Sequence, residues 1–172
     1  MLSEAGTDPQ AGERMGGVTK IVCGGQTGVD RAALDAARAL GLATGGWVPE
    51  GRRDEAGRIP TRYAGLRETD SPDPAVRTRL NVADSDATLI LTTAAAASPG
   101  TDWTRRCADE LGKPHLTVRL ADGRTNAAAA RIRSWLAAMH PAVLNVAGPR
   151  ASEAGDAYAL ARAVLLRALA PA

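Results

Sequence analysis

The sequence predicts an α/β fold, with a mostly parallel sheet and helices on both faces. Three observations predict it. Short apolar runs with β-branched residues alternate with stretches of helical periodicity from residue 19 to residue 169. No two runs are joined by a hairpin signal. Three strand-to-helix junctions, at 24–31, 98–104 and 147–152, hold glycine with hydroxyl or amide side chains. In a parallel sheet such junctions share the carboxyl edge, where open α/β folds bind ligands.

The elements follow in order. Residues 1–17 hold Gly, Pro, Glu and Gln without periodicity and are expected to form a disordered tail, with one domain over 18–172. Residues 19–23 are short and apolar, a buried strand. Val29, Ala32, Ala33, Ala36 and Leu40 share one helical stripe, and Gly41 stands where a C-cap belongs. Residues 42–48 form a strand weakened by Gly45 and Gly46. Residues 49–74 are a long segment with an extended piece near 63–69. Its arginines, Arg52, Arg53, Arg58, Arg62 and Arg67, suit a lid over an anion; a solvated loop is the alternative.

Residues 74–83 are helical, with Val76, Leu80 and Ala83 apolar and Arg77, Asn81 and Asp84 on another face. Residues 87–93 form the clearest strand, an apolar run suited to burial on both faces. A helix follows from about 103 to 111, closed by Gly112 and Pro114. A strand over 115–120, an amphipathic helix over 126–139, a strand over 142–146 and a helix over 153–169 complete the chain.

At 172 residues the chain is long enough for one domain with a sizeable core. A formal net charge of +2 gives no field that favours nucleic acid or a membrane surface as partner. No run approaches the ~20 apolar residues of a membrane span, and residues 1–17 lack the apolar centre of a signal peptide. The expected location is the cytoplasm. Cys23 and Cys107 have no metal-ligand spacing, and Cys23 reads as a buried small hydrophobe.

A glycine turn between strand and helix leaves backbone N–H groups at a positive dipole end, a site for an anion such as phosphate. The first turn, Gly24-Gly25-Gln26-Thr27-Gly28-Val29-Asp30-Arg31, has neither dinucleotide-fold nor P-loop spacing. Gln26 and Thr27 add side-chain donors. Asp30 partners the helix dipole or reads a ligand hydroxyl. Arg31 pairs with a phosphate or stays solvated. In the second turn Gly100 permits close approach, and Thr101 and Thr104 cap the helix or hold phosphate. Arg77 and Asn81 share a stripe that is otherwise a solvated face. In the third turn Gly148 precedes Arg150, which can clamp an anion. No catalytic constellation is visible: His115 and His140 are isolated, and Asp84, Asp86 and Glu110 are the carboxylates that folding could bring to the edge. The residues thus favour binding over catalysis.

The first turn resembles the family of putative molybdenum carrier proteins. So do Gly46-Trp47-Val48-Pro49 with Gly51-Arg52, Arg77-Thr78 with Asn81-Val82, and Asp84-Ser85-Asp86-Ala87-Thr88-Leu89-Ile90. Gly100-Thr101 with Thr104, Gly112-Lys113-Pro114 and Leu144-Asn145-Val146-Ala147-Gly148-Pro149-Arg150 extend the resemblance over about 18–169. It implies a single Rossmann-like domain, assembly as a homodimer or homotetramer, and a phosphorylated small-molecule ligand at the carboxyl edge. The molybdenum cofactor, whose molybdopterin carries a phosphate, is the cargo so implied, with a nucleotide derivative beside it. A related branch hydrolyses nucleoside monophosphates and resembles Pro-Gly-Gly-x-Gly-Thr-x-x-Glu, with a catalytic Glu. Here Thr104 stands at the Glu position, and a hydroxyl does not supply the same acid/base chemistry. The reading is a carrier or sensor of a phosphorylated molecule. A phosphoribohydrolase using Asp84, Asp86 or Glu110 is the alternative, and a regulatory or scaffold subunit is a third.

Overall fold

The computed structural model describes residues 17–94 and 98–171, so the expected tail lies, Gly17 apart, outside the described residues. The order is β1 (Lys20–Val22), α1 (Val29–Ala39), β2 (Ala43–Val48), β3 (Arg53–Asp54), β4 (Gly57–Arg58), β5 (Leu66–Glu68), α2 (Pro74–Ala83), β6 (Ala87–Thr92), α3 (Pro99–Glu110), β7 (His115–Arg119), α4 (Thr125–Met139), β8 (Val143–Ala147) and α5 (Ala157–Leu169). Six strands form one sheet in the order β5-β2-β1-β8-β6-β7, every neighbouring pair parallel. This is the α/β Rossmann-like fold that the alternating pattern and the resemblance led to.

The apolar runs explain the layers. Ile21, Leu89, Leu91, Leu144 and Val146 point to one face, where they pack with Ala32, Ala33, Ala36 and Ala37 of α1, Ile132 and Leu136 of α4 and Ala161 and Leu165 of α5. α2 and α3 meet through Val82, Cys107 and Ala108 and cover the other face. Cys23 is fully buried, and burial pushes its thiol far above the usual range.

Strand order reverses beside β1: the chain leaves β1 for β2 and β5 on one side, and β6, β7 and β8 lie on the other. The carboxyl ends of β1, β8 and β6 therefore border the crevice where open α/β folds place ligands.

Three boundaries differ from expectation. β3 and β4 pair antiparallel, a hairpin whose Glu55-Ala56 apex carries none of the usual turn dipeptides. Its strands hold two residues each, and Asp54 is pinned by Arg31 at 2.6 Å, a contact too distant in sequence to read. α3 begins at Pro99, not near 103. Pro99 pre-sets the first helical turn, and the Ser98 side chain accepts from Thr101 N at 3.3 Å, so the expected second turn is itself the helix start. α5 begins at Ala157, not 153. Residues 151–156 stay a turn because Glu153 is bound back to Ser98 and to the Arg150 amide.

The 49–74 segment is packed down. Ile59 and Tyr63 are buried with Leu34 and Val48. Arg52 donates to the carbonyls of Pro60 and Tyr63, both at 3.3 Å, and of Leu66. Arg62 stacks on Tyr63 and Arg67 on Trp47. These arginines organise the segment itself. β5 forms the expected extended piece and edges the sheet.

One repair in the sheet involves the crevice directly. β1 pairs with β2 only as far as Val22–Gly45, with one more bond from Cys23 N to Gly45 O. Beyond it, the Asn81 amide of α2 stands in for the missing strand. Its Oδ1 accepts from Trp47 N at 2.7 Å, and its Nδ2 donates to Trp47 O at 2.9 Å. Asn81→Ala strands both Trp47 backbone groups, an expected loss of about 2–4 kcal/mol. Urea unfolding measures it, and a loss under about 1 kcal/mol contradicts the strand-substitute role.

Candidate functional site

The carboxyl edge holds a cavity of about 330 Å³ between the ends of β1, β8 and β6 and the first turns of α2 and α3. Of the residues singled out in the sequence, Gln26, Asp30, Arg77, Gly100, Thr101, Thr104, Gly148 and Arg150 line it. Gly24, Gly25, Thr27, Gly28, Arg31 and Asn81 are not among its lining residues, and each has a local task instead.

Arg77 is the central cation. It rises from α2 and lies against Gly24, so close that a Cβ there would sit 1.9 Å from Nη1. Only glycine leaves room for the guanidinium, so Gly24 seats Arg77. Nη1 donates to Thr78 Oγ1 at 3.1 Å and lies 4.0 Å from Asp30 Oδ2. Its Nε is buried without a protein partner among the described residues.

Asp30 is 4% exposed, and its Oδ2 accepts from Gln26 N at 3.2 Å. Burial raises its carboxyl above the usual aspartate range. The Arg77 guanidinium and the backbone N–H groups of Gln26 and Gly24 act in the opposite direction and fall short.

The first turn of α3 brings the positive end of a helix dipole to the same cavity. A Cβ on Gly100 would meet nothing within 4 Å, so this turn faces open space. Thr101 Oγ1 donates to Ser98 Oγ at 2.8 Å, and Thr104 Oγ1 donates to Gly100 O at 3.0 Å. Both hydroxyls therefore brace the helix start. On the β8 side, Gly148 fits between Leu91 O and Val29, where a Cβ would come within 2.5 Å. Arg150 extends past it, with Nε 3.5 Å from Glu153.

The other singled-out residues hold the turns. Gly25 and Gly28 have φ of +70° and +75°. Thr27 donates to Glu55 and accepts from Ala151 N at 3.1 Å. Arg31 pairs with Asp54, lies 4.8 Å from the Tyr63 ring centroid and donates to Gly25 O. Asn81 serves β2, as described.

The carboxylates named for a hydrolase are elsewhere. Asp84 accepts from Trp47 Nε1 at 2.8 Å, and Glu110 pairs with Arg79 at 2.7 Å. Asp86 accepts from the amides of Ala142 and Val143 at the opposite edge of the sheet. None of the three lines the cavity. The carboxylates that do are Asp30, Asp73 and Glu153. Sequence reasoning missed Glu153 because it placed that residue inside α5; its spacing of three from Arg150 in a glycine turn was the available signal. Ser98 and Trp103, from the second junction, and Thr78, beside Arg77, also line the cavity. Among the described residues, no group of three or more His, Cys, Asp or Glu side chains is arranged to hold a metal ion.

The circularly permutated YpsA SLOG family matches residues 21–169, from within β1 to the end of α5. The chain belongs to that family. It is also similar to a solved structure from Syntrophus aciditrophicus SB, described as a "putative molybdenum carrier protein". The two are 42% identical with a TM-score of 0.86, over 92% of this chain and 98% of that one. No protein of curated function matches. The span shared with the SLOG family contains every residue that lines the cavity. Among the described residues, no helix is long and apolar enough to cross a membrane.

The raised Asp30 carboxyl has a definite sign. The folded protein holds this proton more tightly than the unfolded chain, so this group makes stability fall as pH rises from the ordinary aspartate value through the folded one. Asp30→Asn flattens that part of the profile. Arg77→Met moves the Asp30 midpoint further up, because the guanidinium is what pulls it down. A carboxyl-carbon NMR titration checks both, and a midpoint at or below the ordinary value contradicts them.

Proposed function

We propose that this protein binds a phosphorylated small molecule as a carrier or sensor, with the molybdenum cofactor as the candidate cargo and a nucleotide derivative beside it. One observation carries the reading: the Arg77 guanidinium, with a buried and unpartnered Nε, and the α3 N-terminus converge on a cavity at the reversal point of the sheet. Helix N-termini and guanidiniums are the two protein groups best suited to phosphate. A volume of about 330 Å³ is at the small end of ligand pockets.

The carboxyls sharpen the ligand class. Asp30, Asp73 and Glu153 share the cavity with Arg77 and Arg150. A bare anion gains nothing from carboxylates. A ligand that joins phosphate to several hydroxyl, amino or ring N–H donors uses both sets, and pterin and nucleoside phosphates are of this kind. The molybdenum carrier name of the Syntrophus protein supports the first. A homodimer or homotetramer in the cytoplasm is part of the same proposal and rests on the sequence and the resemblance.

A hydrolase is the rival, and Glu153 is one of the three carboxylates that line the cavity. Glu153 already accepts from Ser98 Oγ at 2.9 Å and Arg150 N at 3.1 Å, which commits it to shaping the turn.

Thermal unfolding with inorganic phosphate, nucleoside monophosphates and molybdopterin tests the proposal. A bound ligand at about 100-fold above its Kd raises Tm by roughly 5–10 °C. Arg77→Met weakens that binding about ten- to a hundredfold. No shift with any of these probes at millimolar concentration overturns the carrier reading. Release of free base from a monophosphate favours the hydrolase.

A further inference from the structure

The β3–β4 hairpin reaches back over the junctions that border the cavity. Its apex residue, Glu55, is held there by its carboxylate. Oε1 accepts from the Thr27 hydroxyl and from Ser152 N at 3.1 Å. Oε2 accepts from the Ser152 hydroxyl and lies 3.9 Å from Arg150 Nε. The Gln26 side chain steadies the arrangement, its Oε1 accepting from Glu55 N and Thr27 N, both at 3.0 Å.

Two hydroxyls, one backbone amide and one guanidinium around two oxygens make an oxyanion cradle. Nothing about a hairpin requires one; an apolar contact would pin its apex as well. The cradle is built by two of the junctions that border the cavity and shares Arg150 with it. The hairpin's strands hold two residues each; its base is fixed by Arg52 and the buried Ile59, and between them Asp54–Arg31 and the Glu55 contacts hold the apex down.

We propose that the Thr27–Ser152–Arg150 cradle is a second anion subsite, filled in the free protein by Glu55, and that the ligand carries two linked anionic groups, as a phosphoanhydride does. This rests on the phosphate reading of the cavity. The first phosphate takes the Arg77 and α3 end. The second displaces the Glu55 carboxylate, which returns to water, and Arg150 lies between the two. A doubly charged phosphate group has more charge and one more oxygen than the carboxylate it replaces, so the exchange favours the ligand. Glu55 thereby sets a threshold: a monophosphate leaves the hairpin latched, and a diphosphate releases it.

Calorimetric titration of the full chain with inorganic phosphate and with pyrophosphate, in the wild type, Glu55→Gln and Glu55→Ala, tests the proposal. Removing the competing carboxylate raises the pyrophosphate-to-phosphate affinity ratio about tenfold. In the wild type, pyrophosphate speeds hydrogen exchange at the Glu55 amide, which leaves Gln26 when the hairpin is released, and phosphate does not. This second readout stands even if a variant folds poorly. Phosphate binding with a ratio unchanged within about twofold, or pyrophosphate that leaves exchange at the Glu55 amide unchanged or slower, overturns the second subsite alone. Failure of both probes to bind any of the three proteins overturns the phosphate reading and this proposal with it.

Discussion

β1 ends before its neighbour does, and α2 repairs the gap. Past Val22 the chain turns through Gly24 and Gly25 into α1, while β2 runs on to Val48. The exposed edge of β2 and the turn itself both need partners, and α2 supplies them one helical turn apart. Asn81 completes the hydrogen bonds of Trp47, and Arg77 covers Gly24 and faces Asp30. The helix stripe of Arg77 and Asn81 thus unites a structural and an electrostatic role. Removing either disturbs the same corner of the sheet, because an unsatisfied buried group costs more than the bond it formed.

The chemistry of the corner is local. A net charge of +2 over the whole chain is weak, and salt screens it beyond about 8–10 Å. The groups suited to an anion there are the Arg77 guanidinium and the end of α3, with the buried Asp30 beside them. The carboxyl keeps Arg77 in place, and the glycine beneath it permits the approach. On the other wall, Arg150 stands between Glu153 and Glu55, two carboxylates from different parts of the chain. The cavity is therefore lined by opposed charges, an arrangement that discriminates ligands by where their donors and acceptors fall.

Sequence made some of this legible and hid the rest for physical reasons. Periodicity separated strands from helices, because burial on one stripe or on both faces leaves a pattern within a dozen residues. The three glycine junctions were visible because backbone chemistry at a strand-to-helix turn is local. Arg31 was not readable: its partner Asp54 belongs to a hairpin whose strands hold two residues each, and Tyr63 comes from further on. Asn81 lay on a stripe that looked solvated, because its partner is the backbone of another strand. Glu55 and Glu153 were missed because each acts through turns distant in the chain or through a helix that starts later than its pattern implies.

The measurement that bears most directly on the corner is an NMR titration of uniformly 15N-labelled protein with inorganic phosphate, observing the Arg77 Nε–H and the amides of Gly100 and Thr101. Convergence of α2 and α3 on one anion predicts that all three resonances shift together, along one saturation curve. Shifts confined to either helix, or none at saturating phosphate, would contradict it.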